Sequence, residues 1–194
     1  MVLGFVIAKI SSTSWHLIHS TLYPHPSPVS TENSHLGASP ITSVDARENR
    51  KDSIAEVVRR IQIEFAFQFS ANYLASSSKT DESNISVNGT FLLYSNDPFS
   101  NQQIVVWRVN SGITYALICD TNENLSLAEY VLEVLIRVIL DNMSQEMTAP
   151  KILLEADKIT GILHVFLPSG TLLFMNHKIV RHLEKELEAI LSAK

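Results

Sequence analysis

One cysteine, Cys119, is all the chain contains, so no internal disulfide can staple it. It falls at the end of an apolar run with no cationic neighbour in sequence, which reads as a small buried hydrophobe rather than a reactive thiol. Glycine is scarce as well. Six glycines leave little backbone-lined room for a cofactor, and no phosphate loop, Gly-x-Ser-x-Gly turn or Gly-rich helix opening occurs. Basic charge is in deficit, 15 Lys and Arg against 20 Asp and Glu, for a net charge of −5. A general nucleic-acid binder is thereby excluded, since neutralising phosphates needs a concentrated basic surface and Arg59-Arg60 is too small a cluster. Long apolar runs are missing too. Val2 to Ala8 has no basic residue ahead of it and is followed by Lys9, which is not the charge order of a secretory signal. It is also far short of the ~20 residues of a spanning helix, and the run Val134 to Leu140 is interrupted by Arg137. The expectation is a soluble, cytoplasmic chain, in which the Asn-x-Ser/Thr triplets at Asn84, Asn88, Asn124 and Asn142 carry no weight.

What is present is a patterned core. At 194 residues the chain suits one domain, 1–194, able to bury a core without staples. Val2 to Ala8 and Trp15 to Tyr23 read as strands around the turn Ser11 to Ser14, and Phe91 to Tyr94 as a short strand before the bend at Asp97-Pro98. Ile104 to Val109 and Ile113 to Cys119 flank Asn110-Ser111-Gly112 as a β-hairpin. Pro24 to Glu48 collects Pro24, Pro26, Pro28 and Pro40 among Ser, Thr and Asn without apolar periodicity, so a disordered, mobile insertion is predicted at 24–48. Ser76 to Asn88 reads as a second polar loop. A helix is predicted from the capping pair Ser53-Glu56 to about Ala75, with Ile54, Val58, Ile61, Phe65 and Phe69 on one face. Pro150 opens a further helix through Phe166, weakened by Gly161, and Pro168-Ser169-Gly170 ends it. After a short extended segment, Thr171 to Met175, Asn176 caps a last helix striped by Val180, Leu183, Leu187 and Ile190. Two strands, a helix, three strands and then only helices imply an α+β fold: a five-stranded, mainly antiparallel sheet with helices on both faces.

The helix after the hairpin carries the most information. With Ser126 and Glu129 as a capping box, Ser126, Glu129, Glu133, Arg137 and Asp141 fall in a polar arc of roughly 120°, and an apolar arc of roughly 200° remains. A helix lying on one sheet needs about half of that. The arc is centred on Val131 and Leu135, which are expected to face the sheet. The flank Leu127 with Val134 or the flank Leu132 with Ile136 is then the expected partner interface, the other being covered by the helix to Phe166. Candidate chemistry is thin by comparison. His16 and His19 point to opposite faces of a strand, His177 and His182 are separated on a helix, and no cysteine or carboxylate completes a metal set. His164 reads as a surface residue, Glu184, Glu186 and Glu188 with Lys185 as a solvated face, and Ser169 as a turn residue without a partner base. No catalytic, cofactor or metal site is predicted, and no enzyme activity.

The words Asn96-Asp97-Pro98-Phe99, Val105-Val106-Trp107, Glu123-Asn124-Leu125, Leu127-Ala128-Glu129, Ala156-Asp157-Lys158-Ile159, Gly161-Ile162-Leu163, Phe166-Leu167-Pro168, Leu172-Leu173-Phe174 and Leu183-Glu184-Lys185-Glu186 occur in that order. Together with the element order they resemble the sigma, or small, subunits of the fifth adaptor-protein complex, within the longin-like adaptor small subunits. The resemblance covers roughly residues 90 to 190, and the segment from Pro24 to Glu48 has no counterpart in it. It implies a longin-like fold and a non-catalytic small subunit of a heterotetramer, clasped by a large adaptin alongside a second large and a medium subunit. It further implies vesicle-mediated protein sorting, a peripheral location on late endosome and lysosome membranes, and spatacsin and spastizin as associates. No pocket for acidic dileucine cargo carries over. The competing expectation is a longin-type regulator of a small GTPase within a membrane-trafficking complex.

Overall fold

A computed structural model describes residues 1–23, 43–75, 86–95, 99, 101–143 and 148–192, with the side chains of 43–49 and 72–75 excepted. The elements are β1 (Val2–Ile10), β2 (Trp15–Leu22), α1 (Ser43–Ala75), β3 (Val87–Leu93), β4 (Gln103–Asn110), β5 (Ile113–Asp120), α2 (Leu125–Asn142), α3 (Ala149–Leu154), α4 (Ala156–Phe166) and α5 (His177–Ser192). Five strands form one sheet in the order β2-β1-β5-β4-β3, every neighbouring pair antiparallel. The first strand of the chain therefore lies inside the sheet, between β2 and β5. A strand covered on both faces must be apolar at nearly every position, and the sequences of β1 and β5 satisfy this: Val6, Ala8 and Ile118 point to one side, Phe5, Ile7, Tyr115 and Leu117 to the other, all of them buried.

Ser111 and Gly112 close the β4–β5 hairpin, both with positive φ (52° and 75°), in a two-residue turn whose twist matches that of the strands. On one face lies α1, with Ile54, Val57, Val58, Ile61 and Phe65 buried against Val105, Trp107, Val109 and Ile118. The opposite face carries α2, α4 and α5, so the helices divide between the two sides as the order of elements implies. Gly89 is paired with Trp107, and a Cβ there would lie 2.7 Å from the indole ring, so a bare glycine is what lets this tryptophan lie flat across β3.

Several predicted boundaries move. α1 starts at Ser43, ten residues ahead of the Ser53-Glu56 pair, because no proline or glycine follows Pro40 to stop it. The remainder of the predicted insertion, 24–42, lies outside the described residues, as do 76–85 of the second loop and the bend at Asp97-Pro98. β3 is longer than Phe91 to Tyr94 and begins at Val87, inside the stretch read as polar loop. The helix expected from Pro150 to Phe166 is two helices. Glu155 breaks it at φ −104°, ψ 23°, and the break lets α3 touch β2 while α4 packs on α2 and α5. Thr171 to Met175 belongs to no strand.

After α4 the chain turns through Ser169 and Gly170, both left-handed (φ 51° and 78°). Gly170 is pressed against the carbonyl of Val2 and the ring of Tyr23, tying this turn to β1 and to the end of β2.

Candidate functional site

The surface around α2 is where the sequence places function. Its N-terminus is capped by Asn124, whose side-chain oxygen accepts from the Leu127 amide at 3.0 Å, and not by Ser126. Ser126 already lies in the first turn, so the Ser126-Glu129 spacing is not a capping box; Asn124 takes that position because its backbone is extended there. Val131 and Leu135 at the centre of the arc are fully buried, as expected, over β4 and β5. Of the expected partner residues, Leu132, Val134 and Ile136 are 2–4% exposed and belong to this chain's own core, and Leu127 is half-buried against it. The width of the apolar arc is thus taken up within the chain: the sheet lies beneath α2, and α4 alongside it. What α2 shows to solvent is Leu125, Tyr130 and its charged arc.

On the β3 side of α2, Arg108 reaches up from β4 to Glu133 at 3.2 Å, an ion pair open to solvent on its Glu133 side and so worth at most about 1 kcal/mol. Grooves open on either side of it. One, of about 250 Å³, lies toward the start of α2, among Asn88, Val106, Ser126, Glu129 and Tyr130. The other, of about 380 Å³, runs toward its end, among Asn110, Val134, Arg137, Leu140 and Asp141. Strand alternation was the available signal for this pair: it places Arg108 on the same face as Val106, the face that α2 covers.

The candidates for chemistry stay apart. His16, His164, His177 and His182 are exposed, and the half-buried His19 shares a hydrogen bond with Thr21 at 3.0 Å. Burial lowers the His19 pKa. Glu184 is half-buried, and Lys185, Glu186 and Glu188 are exposed along α5. Cys119 is buried, and burial pushes its thiol up to about 12, so the thiolate needed for nucleophilic attack is suppressed. Among the described residues no group of three His, Cys, Asp or Glu side chains is placed to hold a metal ion. No helix among them is long and apolar enough to cross a membrane.

The model of one protein family, AP-5 complex subunit sigma-1, matches residues 1–188. The chain belongs to that family. The human AP-5 complex subunit sigma-1 is 44% identical over 101 residues, which are 52% of this chain and 50% of the human protein. The mouse AP-5 complex subunit sigma-1 is 42% identical over 55 residues, 28% of this chain and 32% of the mouse protein. The aligned part of the chain thus spans half or less of the curated relatives it matches. Among solved structures, a chain from a homology model of the full-length AP-3 complex in a stretched open conformation aligns over 100% of this chain and 97% of its own length, at a TM-score of 0.47 and 12% identity. The α+β architecture rests on the strand order and helix placement given above. The resemblance drawn from the short sequence words names the same family as the match over 1–188.

Proposed function

We propose that this chain is a non-catalytic small subunit of a heterotetrameric adaptor complex that sorts proteins in vesicle-mediated transport at late endosomes and lysosomes. The family match over residues 1–188 carries the reading. The division of the sheet into two helix-covered faces, with no metal-binding cluster among the described residues, suits a scaffold subunit. In this reading a large adaptin clasps the chain, a second large and a medium subunit complete the complex, and spatacsin and spastizin associate with it. The complex, and not this chain, meets the membrane, where it sits peripherally. Contact with the adaptin involves α2 where its flank reaches the surface, at Leu127 with Leu125 and Tyr130, because Leu132, Val134 and Ile136 are already enclosed.

Affinity purification of the tagged chain from cells tests this. Stoichiometric recovery of two adaptin-sized chains and one medium chain is expected. Recovery of a small GTPase, with no adaptin, would instead identify the longin-type regulator.

A further inference from the structure

The two edges of the sheet are built differently. β2, at one edge, pairs with β1 through a register shift between Ile7 and Ala8 and is packed by α3 as well as by α1, the helix that also reaches β3. β3, at the other, is the seven-residue strand Val-Asn-Gly-Thr-Phe-Leu-Leu. It contains no charge and no proline, the devices by which edge strands normally resist pairing. Its Val87, Phe91 and Leu93 turn toward α1, which leaves Asn88, Thr90 and Leu92 exposed on the α2 side. There α2 packs on β4 and β5, and the 250 Å³ groove opens between it and β3. The groove holds two carboxylates, Glu129 and Glu133, against one guanidinium, Arg108.

We propose that β3 is a docking edge for an extended segment of another protein chain, added as a sixth strand. Among the described residues no strand pairs with the outer side of β3, and the complement of such an edge is an extended backbone, since only that supplies carbonyls and amides at the matching spacing. The side chains of such a strand alternate. Those on the α1 side lie beside the half-buried Phe91 and are apolar; those on the α2 side reach toward the Glu129–Glu133 rim and are basic. The occupant is therefore a segment alternating apolar residues with Lys or Arg. This inference stands on the edge and the groove and is independent of the sorting role.

To test it, nine-residue peptides are selected from a random display library on the immobilised chain. The recovered peptides are then measured by fluorescence anisotropy and by amide hydrogen exchange. Enrichment of alternating apolar and basic sequences is expected, with exchange protection confined to 87–93. Binding should weaken at least about tenfold in Thr90→Lys, which puts a charge on the edge, and more modestly in Glu129→Gln. Asn88→Lys replaces Thr90→Lys if circular dichroism shows the latter misfolded. The proposal is overturned if no such peptides are recovered, if they bind Thr90→Lys as well as the parent, or if protection falls outside β3. A concentration-dependent dimer protected at 87–93 would overturn it as well, because the edge would then belong to a second copy of this chain.

Discussion

Gly161→Ala should stabilise the protein, and the size of the effect follows from what surrounds the residue. Gly161 lies mid-way along α4 and is half-buried on the side facing α5. Its backbone is ordinary helix, and a Cβ added there would meet only Leu191 Cδ2 at 3.9 Å and Leu187 Cδ1 at 4.0 Å, which is normal van der Waals contact. Replacing an interior helical glycine by alanine is worth about 0.8–1 kcal/mol, largely by narrowing the unfolded ensemble. A half-covered methyl group adds about 0.4 kcal/mol, half of the value for a fully buried one. The total is about 1.3 kcal/mol. In urea unfolding followed by far-ultraviolet circular dichroism, a slope of about 2 kcal/mol/M gives a rise in midpoint of about 0.6 M at unchanged slope. An unchanged or lower midpoint would refute the reasoning. It would mean that α4 and α5 approach more closely in solution than these distances allow, or that α4 requires the glycine's freedom to form.

Three further outcomes are expected. Gly170→Ala should lower stability by more than the 1–2 kcal/mol of a left-handed non-glycine residue, because the added Cβ would fall 2.2 Å from the Val2 carbonyl oxygen; a melting temperature equal to the parent's would count against that clash. Leu135→Asp should abolish cooperative unfolding, since a carboxylate would replace a fully buried side chain with no partner in reach, and retention of a native near-ultraviolet spectrum would refute the burial. The Cys119 thiol, raised from 9.0 to about 12 by burial, should resist aromatic disulfide reagents at pH 8 until the protein is unfolded; its contribution to stability is complete below pH 9 and is lost as pH rises from 9 toward 12, so Cys119→Ala should flatten that part of the stability profile.

How legible the molecule was in its sequence depended on the kind of signal. Strands β1, β4 and β5 were legible because a strand buried on both faces leaves an unbroken apolar run, and the hairpin turn because its glycine sits between two such runs. Of β3 only the end from Phe91 was legible: Asn88, Gly89 and Thr90 look like loop residues until Trp107 is known to need the space above Gly89. The cap of α2 was misplaced because Asn124 and Ser126 are both good capping residues, and only the backbone angles choose between them. Asn176 had no such rival and accepts from the amides of Lys178 and Ile179 as expected. The apolar arc of α2 was correctly read as needing a second cover. Periodicity reports that a face is apolar but not which neighbour encloses it: the cover by the helix to Phe166 was anticipated, and α4 does lie beside α2, but which flank it takes could not be read. The Arg108–Glu133 pair and its grooves were likewise hidden, joining residues 25 positions apart on different elements.

The interior position of β1 sets a timetable for assembly on the ribosome. Val2 to Lys9 find their second neighbour only in Ile113 to Cys119, more than a hundred residues later. At 5–20 residues per second, roughly 5–20 s pass between the emergence of the two strands. During that interval the β1–β2 hairpin, an element at best marginally stable in water on its own, can gain the cover of α1 on one face only. The edge of β1 toward β5, and its face bearing Phe5 and Ile7, therefore stay uncovered at least until the β4–β5 hairpin arrives to accept the strand. Non-local closure of this kind folds slowly. Production of the protein should accordingly depend more on chaperone supply during synthesis than the stability of the finished molecule would suggest.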